Sequence, residues 1–218
     1  MIVLEKNLMT QFFRFVLLIS ITLCSCENET QNSTTVSYTE IGEDTTPGCP
    51  DSEYPDWRTS DYVLPYPVGK EYFIGLSHCT RSFHAEGEPD EFAIDFNMNV
   101  GTTVTAAREG TVVFVEESGN DGNFPNNLVV VRHDDGSFAQ YMHLTSNGAD
   151  VEVDDIVQKG DPIGRSGATG LAGYPHLHFV VTRGGWQYPY QSIPYNFKNT
   201  EENPKSLRSG KLYRALSY

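Results

Sequence analysis

From about residue 92 onward, apolar residues fall either at every second position or in short unbroken runs. Thr111–Val115 and Leu128–Val131 are runs of β-branched and aromatic residues, the pattern of strands buried on both faces. Asp134-Asp135-Gly136 supplies turn chemistry, so Phe138–His143 is predicted to return as the partner strand. Val151-Glu152-Val153 alternates as a half-exposed strand does. In Phe92–Phe96 the parity puts Phe92, Ile94 and Phe96 on one face and Ala93 and Asp95 on the other. Pro175–Val181 reads as the last strand of the core. Lys159-Gly160-Asp161 marks a tight turn, and the Gly-rich stretch 164–173 a flexible loop. No sustained 3.6-residue period and no internal repeat is present. The predicted class is therefore all-β, with few or no helices in the core. The domain is expected over residues 59–199. A polar tether (26–58) precedes it, poor in large apolar residues. A tail (200–218) follows, expected as a short helix or a loose extension.

Composition supports the strand reading: 19 Gly and 12 Pro imply many turns, and 12 Phe with 12 Tyr favour strands. The net charge of −14 argues against nucleic acid as a partner, since that role needs a basic footprint. An acidic surface keeps an exported protein soluble. Export is indicated by the first 25 residues. Lys6 and Arg14 precede the apolar run Phe15–Leu23, which is short of the roughly 20 residues that span a bilayer and has the layout of a signal peptide. Met1 and Met9 both remain open as the start. Leu23-Cys24-Ser25-Cys26 resembles the lipobox of bacterial lipoprotein precursors. That resemblance implies a lipidated Cys26 and contact with the membrane through a lipid anchor alone, in the bacterial cell envelope; simple secretion is the alternative. Cys49 and Cys79 are then the remaining thiols, and an oxidising compartment suggests that they pair. Such a bridge would pin the tether to the first loop of the domain.

Candidate chemistry centres on His176-Leu177-His178. On a strand, that spacing puts both imidazoles on one face. Asp95 faces away from its apolar neighbours, and a lone carboxylate there needs a partner. His84 lies eleven residues earlier in a polar loop, and His143 ends the Phe138–His143 strand. Nitrogen and oxygen donors in this number suit zinc, and a catalytic zinc site keeps one position open. His133, beside the Asp134-Asp135-Gly136 turn, reads as a solvated strand end rather than a ligand.

Taken in order, these residues resemble the lysostaphin-type (LytM-like) zinc endopeptidases over roughly residues 64–199. The resemblance is carried by Phe83-His84, Ala93-Ile94-Asp95-Phe96, Gly101–Ala107, Gly110-Thr111-Val112, Tyr141-Met142-His143-Leu144, Gly160–Gly164, and Ser166–Gly170 leading into Pro175–Phe179. It implies one Zn2+ per chain, held by His84, Asp95 and His178, with His143 and His176 as the catalytic histidines. It also implies that the all-β domain is a mainly antiparallel β-sheet/sandwich, and it implies a peptidoglycan peptide as substrate. Tyr141, by its parity with His143, is a candidate oxyanion donor, and a packed strand tyrosine is the other reading. Tyr174 stands where the family often has Gly and is a candidate for the pocket rim. Between His84 and Asp95 the chain is longer than is usual in the family, around Glu86–Glu91, which leaves His78 as an alternative first ligand. Two other functions remain open on the sequence: a silent cell-wall-binding or regulatory module of the same fold, and a secreted peptidase acting on other proteins. Oligomeric state is not legible.

Overall fold

A computed structural model describes residues 47–218. The signal segment, Cys26 and the first part of the tether lie outside the described residues. Within them the secondary structure is almost entirely strand, as the periodicity predicts. In chain order the strands are β1 (Glu71–Ile74), β2 (Ile94–Asn97), β3 (Thr103–Thr105), β4 (Gly110–Glu116), β5 (Leu128–Arg132) and β6 (Ser137–Met142). They continue with β7 (Leu144–Ala149), β8 (Ile156–Val157), β9 (Pro162–Ser166), β10 (His176–Arg183), β11 (Gln191–Ser192) and β12 (Leu212–Arg214). One sheet runs β12-β1-β2-β10-β6-β5-β4-β8, with β11 also pairing β10; a smaller one runs β3-β9-β7. The pairings are antiparallel.

Strand β10 sits between β2 and β6, and every residue in it except Arg183 is buried. Its apolar residues serve both faces, Leu177, Phe179 and Val181 one and Val180 the other. Leu177, Phe179 and Val181 point into the main core. There they join Ile94 and Phe96 of β2, Ala139 and Tyr141 of β6, and Val129 and Val131 of β5. Val104, Leu144 and Ile163 bring the small sheet into the same cluster. On the opposite face of β2, β6 and β10, Ala93, Met142 and Val180 form a minor apolar cluster. This second face carries the functional candidates.

The fold departs from the sequence pattern in four places. Val151–Val153 is not a strand: Asp154 takes a left-handed φ of 77° and the Asp155 carboxylate accepts the Glu152 backbone N–H at 2.8 Å. A local side-chain bond has displaced a ladder bond. The residues after Asn199 are neither helix nor loose. Leu207, Tyr213 and Ala215 are buried, β12 pairs β1, and the Tyr66 hydroxyl donates to the Tyr213 carbonyl at 2.7 Å. An edge strand needs only one apolar face, so alternate residues among the exposed Lys211 and Arg214 suffice. The end of the expected tether also belongs to the fold, since Cys49 is bonded to Cys79 and Tyr54 reaches His78. Finally, His133 is buried. Its Nδ1 donates to the Glu109 carbonyl at 2.8 Å and its ring meets Tyr62 edge-on.

Candidate metal centre and active site

The register of β2 on β10 sets His178 directly opposite Asp95. Directly paired side chains on one face of a sheet are neighbours, and His178 Nδ1 lies 2.9 Å from Asp95 Oδ1. His84 arrives from outside the sheet, at the end of a one-turn 3-10 helix, Ser82–His84. Its Nδ1 is 2.9 Å from the Ala93 carbonyl and its Nε2 is 3.4 Å from Asp95 Oδ1. A carbonyl only accepts, so Nδ1 carries the proton and Nε2 turns a lone pair inward. One donor atom each from His84, Asp95 and His178 lies within 4.8 Å of the other two.

His143 and His176 stand beside this triad. Their rings are 4.7 Å apart, and His176 Nε2 is 3.6 Å from Asp95 Oδ1. Each is held through Nδ1 by a backbone carbonyl: His143 by Thr169 at 2.7 Å, His176 by Tyr174 at 2.8 Å. Both therefore present an unprotonated Nε2. His143 reaches this face because it breaks strand parity. Its φ is +63°, and its backbone N–H is held by the Asn126 side chain at 3.0 Å. That reversal separates it from Tyr141. Tyr141 is fully buried in the main core, and its hydroxyl accepts the Ala107 backbone N–H at 2.7 Å. Of the two readings of Tyr141, the structure has the packed strand residue and not the oxyanion donor: parity fails where the backbone turns left-handed.

Tyr174 lines the groove, 40% exposed, with its ring stacked on His176 at 4.6 Å. Its hydroxyl occupies space that a β-carbon on Gly75 would enter, so glycine at 75 leaves room for the tyrosine in this position. His78 is equally well buried but elsewhere. Its ring nitrogens face the Tyr54 hydroxyl at 3.0 Å and Ser206 Oγ at 3.3 Å, and it packs on Phe92 and Tyr195. The structure brings His84, and not His78, to Asp95. Around the histidines the groove walls are apolar, and Phe83, Phe124, Leu171 and Tyr188 are exposed there. Leu171 and Tyr174 bring the Gly-rich stretch to the groove as one wall.

Charge in the site is polarised. Burial lowers the pKa of His143, and the nearby His178 and His176 add to this, taking it to about 3. Burial likewise lowers His176, with Asp95 opposing. For His178, burial opposes charge but is outweighed by Asp90 and Asp95, which raise it to about 10. Burial disfavours charge on Asp95 as well, yet His84 and His178 hold it well below the usual carboxylate range. The site thus calls for positive charge at Asp95 and His178 and keeps the other pair neutral. Two imidazole nitrogens and a carboxylate oxygen converging on one point, with room for a fourth ligand, fit the donor set of a catalytic zinc.

Sequence reasoning missed Asp90 and Tyr190. Asp90 Oδ1 lies 3.2 Å from His178 Nε2 and accepts the Tyr190 hydroxyl. The one signal for them was the long interval between His84 and Asp95.

Residues 90–189 match the family model described as Peptidase family M23, a span that contains Asp95, His143, His176 and His178 but begins after His84. Over 91 residues the chain is 41% identical to glycyl-glycine endopeptidase ALE-1 of Staphylococcus capitis, covering 41% of this chain and 24% of that protein. Over 143 residues it is 29% identical to peptidoglycan DD-endopeptidase ShyA of Vibrio cholerae, covering 64% of this chain and 31% of that one. The chain thus spans less than a third of the length of either relative. Among solved structures, the deep-sea M23 metalloprotease pseudoalterin superposes with a TM-score of 0.53 at 20% identity, over 72% of this chain and 99% of that one. At that identity the likeness concerns the fold.

Proposed function

The chain belongs to peptidase family M23, and from this premise we propose that it is an exported, lipid-anchored zinc endopeptidase that hydrolyses peptide bonds of bacterial peptidoglycan. The observation that carries the reading is the convergence of all five expected residues on one face of β2 and β10. His84 Nε2, Asp95 and His178 Nδ1 would hold the ion; His143 and His176 stand next to it as neutral bases. Bound there, zinc supplies Lewis acidity, lowering the pKa of a water towards 7 and polarising the scissile carbonyl.

The remaining chemistry belongs to the chain. A peptide laid along the apolar groove brings its carbonyl between the Asp95 side and the two Nε2 atoms. Nε2 of His143 or His176 accepts the proton of the attacking water. The charge that results on the ring is stabilised through Nδ1–H by the Thr169 or Tyr174 carbonyl, which also keeps the ring from turning. The protonated Nε2 then hydrogen-bonds the developing oxyanion, or returns its proton to the leaving amine. The buried, apolar setting strengthens each of these contacts. Export and anchoring rest on the signal-like leader and on Cys26.

The direct test incubates the purified protein plus zinc with peptidoglycan, with Gly- and Ala-containing muropeptides and with casein. New amine ends are expected from the cell-wall substrates and not from casein. His178→Ala and chelation should each abolish the signal. Turnover that survives both sinks the mechanism, whereas preferential cleavage of casein replaces the substrate class.

A further inference from the structure

The long stretch between His84 and Asp95 is a sequence feature that the proposed mechanism leaves unexplained. In the fold it is a succession of turns. Glu88 N–H bonds the Ala85 carbonyl at 3.1 Å, Glu91 N–H the Glu88 carbonyl at 3.0 Å, and Ala93 N–H the Asp90 carbonyl at 2.9 Å. The Glu91 side chain closes back on Gly87 N–H at 2.8 Å, where Gly87 takes a φ of +83°. Each turn shortens the path, so the extra residues fold over the site rather than away from it. Asp90 is the residue so delivered.

We propose that Asp90 is a positioning residue: its carboxylate, held by Tyr190, fixes the ring of His178 so that Nδ1 faces the metal. The inference rests on His178 being a metal ligand as read above. The geometry is a chain of three groups. Tyr190 comes from the loop after β10, packs its ring against the Ala93, Met142 and Val180 cluster, and donates its hydroxyl to Asp90 Oδ1. That same oxygen lies 3.2 Å from His178 Nε2. On the far side of the imidazole, Nδ1 is 2.9 Å from Asp95 Oδ1. A carboxylate can only accept, so Nε2 must be the protonated nitrogen whenever Nδ1 gives its lone pair to a cation.

His84, His143 and His176 get the same service from backbone carbonyls, through Nδ1. His178 alone among the four uses its Nδ1 towards Asp95, so its orienting partner has to approach Nε2. On this face the next residue along β10 is Val180, and the residue paired with His178 on β6 is Met142; both are apolar. The partner must therefore come from a loop, and the lengthened one supplies it.

The test measures zinc affinity of the full chain, solubilised in detergent, by competition with a fluorescent chelator. Wild type must bind zinc and His178→Ala must not; failure of that control sinks the metal reading itself, separately from Asp90. Given the control, Asp90→Ala is expected to weaken zinc binding by about 10- to 100-fold. Asp90→Asn, which keeps an acceptor oxygen, should recover most of that loss. Tyr190→Phe, which leaves the carboxylate in place but unlatched, should weaken binding by less than Asp90→Ala. Long-range 1H–15N correlations of the zinc-loaded protein should show His178 protonated at Nε2 in wild type, with a mixed or broadened signal in Asp90→Ala. Unchanged zinc affinity in both Asp90→Ala and Tyr190→Phe overturns the proposal. So does weakened affinity with the His178 tautomer signal unaltered, since that result would make the loop structural only. If Asp90→Ala does not fold, Tyr190→Phe decides by the same two readouts.

Discussion

His78 and His84 are six residues apart in the chain, and both are buried, at 1% and 2% exposure. Their surroundings differ in one respect that decides their roles. His78 spends both ring nitrogens inside the fold, on Tyr54 and Ser206, within a knot of aromatic rings next to the Cys49–Cys79 bridge. His84 spends one nitrogen on the Ala93 carbonyl and turns the other to Asp95. Burial alone does not mark a ligand histidine. The fold spends only one ring nitrogen of His84 and turns the other to Asp95, whereas His78 has no nitrogen left to give. The knot around His78 is a closed hydrogen-bond system: Cys49 N–H donates to the Tyr54 hydroxyl, which donates in turn to His78 Nδ1. The site around His84 is an open one.

The largest expected effect separates the two directly. His84→Ala should remove zinc binding and lower kcat/KM by at least about 10³-fold, with little change in the unfolding midpoint of the metal-free protein. His78→Ala should leave zinc affinity as it is and cost about 3 kcal/mol of stability through a cavity and two stranded hydroxyls. Chelator competition and urea denaturation of both variants check this. The reverse pattern would make His78 the first ligand.

A smaller effect is the pH dependence of stability. Burial, with the nearby His84, holds the pKa of His78 well below 6.5 in the native state. Below about pH 6.5 the unfolded chain therefore binds a proton that the native chain refuses. The stabilisation is complete above that pH and declines as the pH falls, by about 1.4 kcal/mol per pH unit for this one proton. His78→Gln removes that share of the slope. Denaturation of the metal-free proteins at several pH values should show wild type losing stability faster than the variant towards acid. Parallel curves would show that His78 accepts a proton without cost, and the knot would not be closed.

The smallest effect tests the other pairing of close neighbours, Tyr141 and His143. Tyr141→Phe strands the buried Ala107 N–H and should cost about 1–3 kcal/mol, while kcat on a muropeptide stays unchanged. A fall in kcat larger than the stability loss explains would return Tyr141 to the chemistry.

Much of this was legible in the chain. Alternation in Phe92–Phe96 and Pro175–Val181 is a local property, and it correctly assigned Asp95, His176 and His178 to the face opposite Ile94, Phe96, Leu177 and Phe179. The Cys49–Cys79 pairing also appears as expected. Parity misled at Tyr141 because it holds only while the backbone stays extended, and His143 takes a positive φ that no residue type in that stretch announces. It misled at Val151–Val153 because acidic side chains there capture the backbone. The tail was underestimated because β12 draws its stability from β1, about 140 residues away in sequence.

By itself, then, the sequence determined the all-β class, the two faces of β2 and β10, and the set of five residues suited to a metal-assisted hydrolysis. The class and the two faces follow from side-chain chemistry and a period of two, which act between near neighbours; the set of five rests on the resemblance to the lysostaphin-type endopeptidases. Only the tertiary structure set His84 rather than His78 beside Asp95, buried Tyr141 away from that face and brought Asp90 and Tyr190 to His178. Each of these depends on which ring nitrogen meets which partner across a long loop or a sheet register. Such contacts are settled when the whole chain competes to satisfy its buried polar groups, and no local pattern records the outcome.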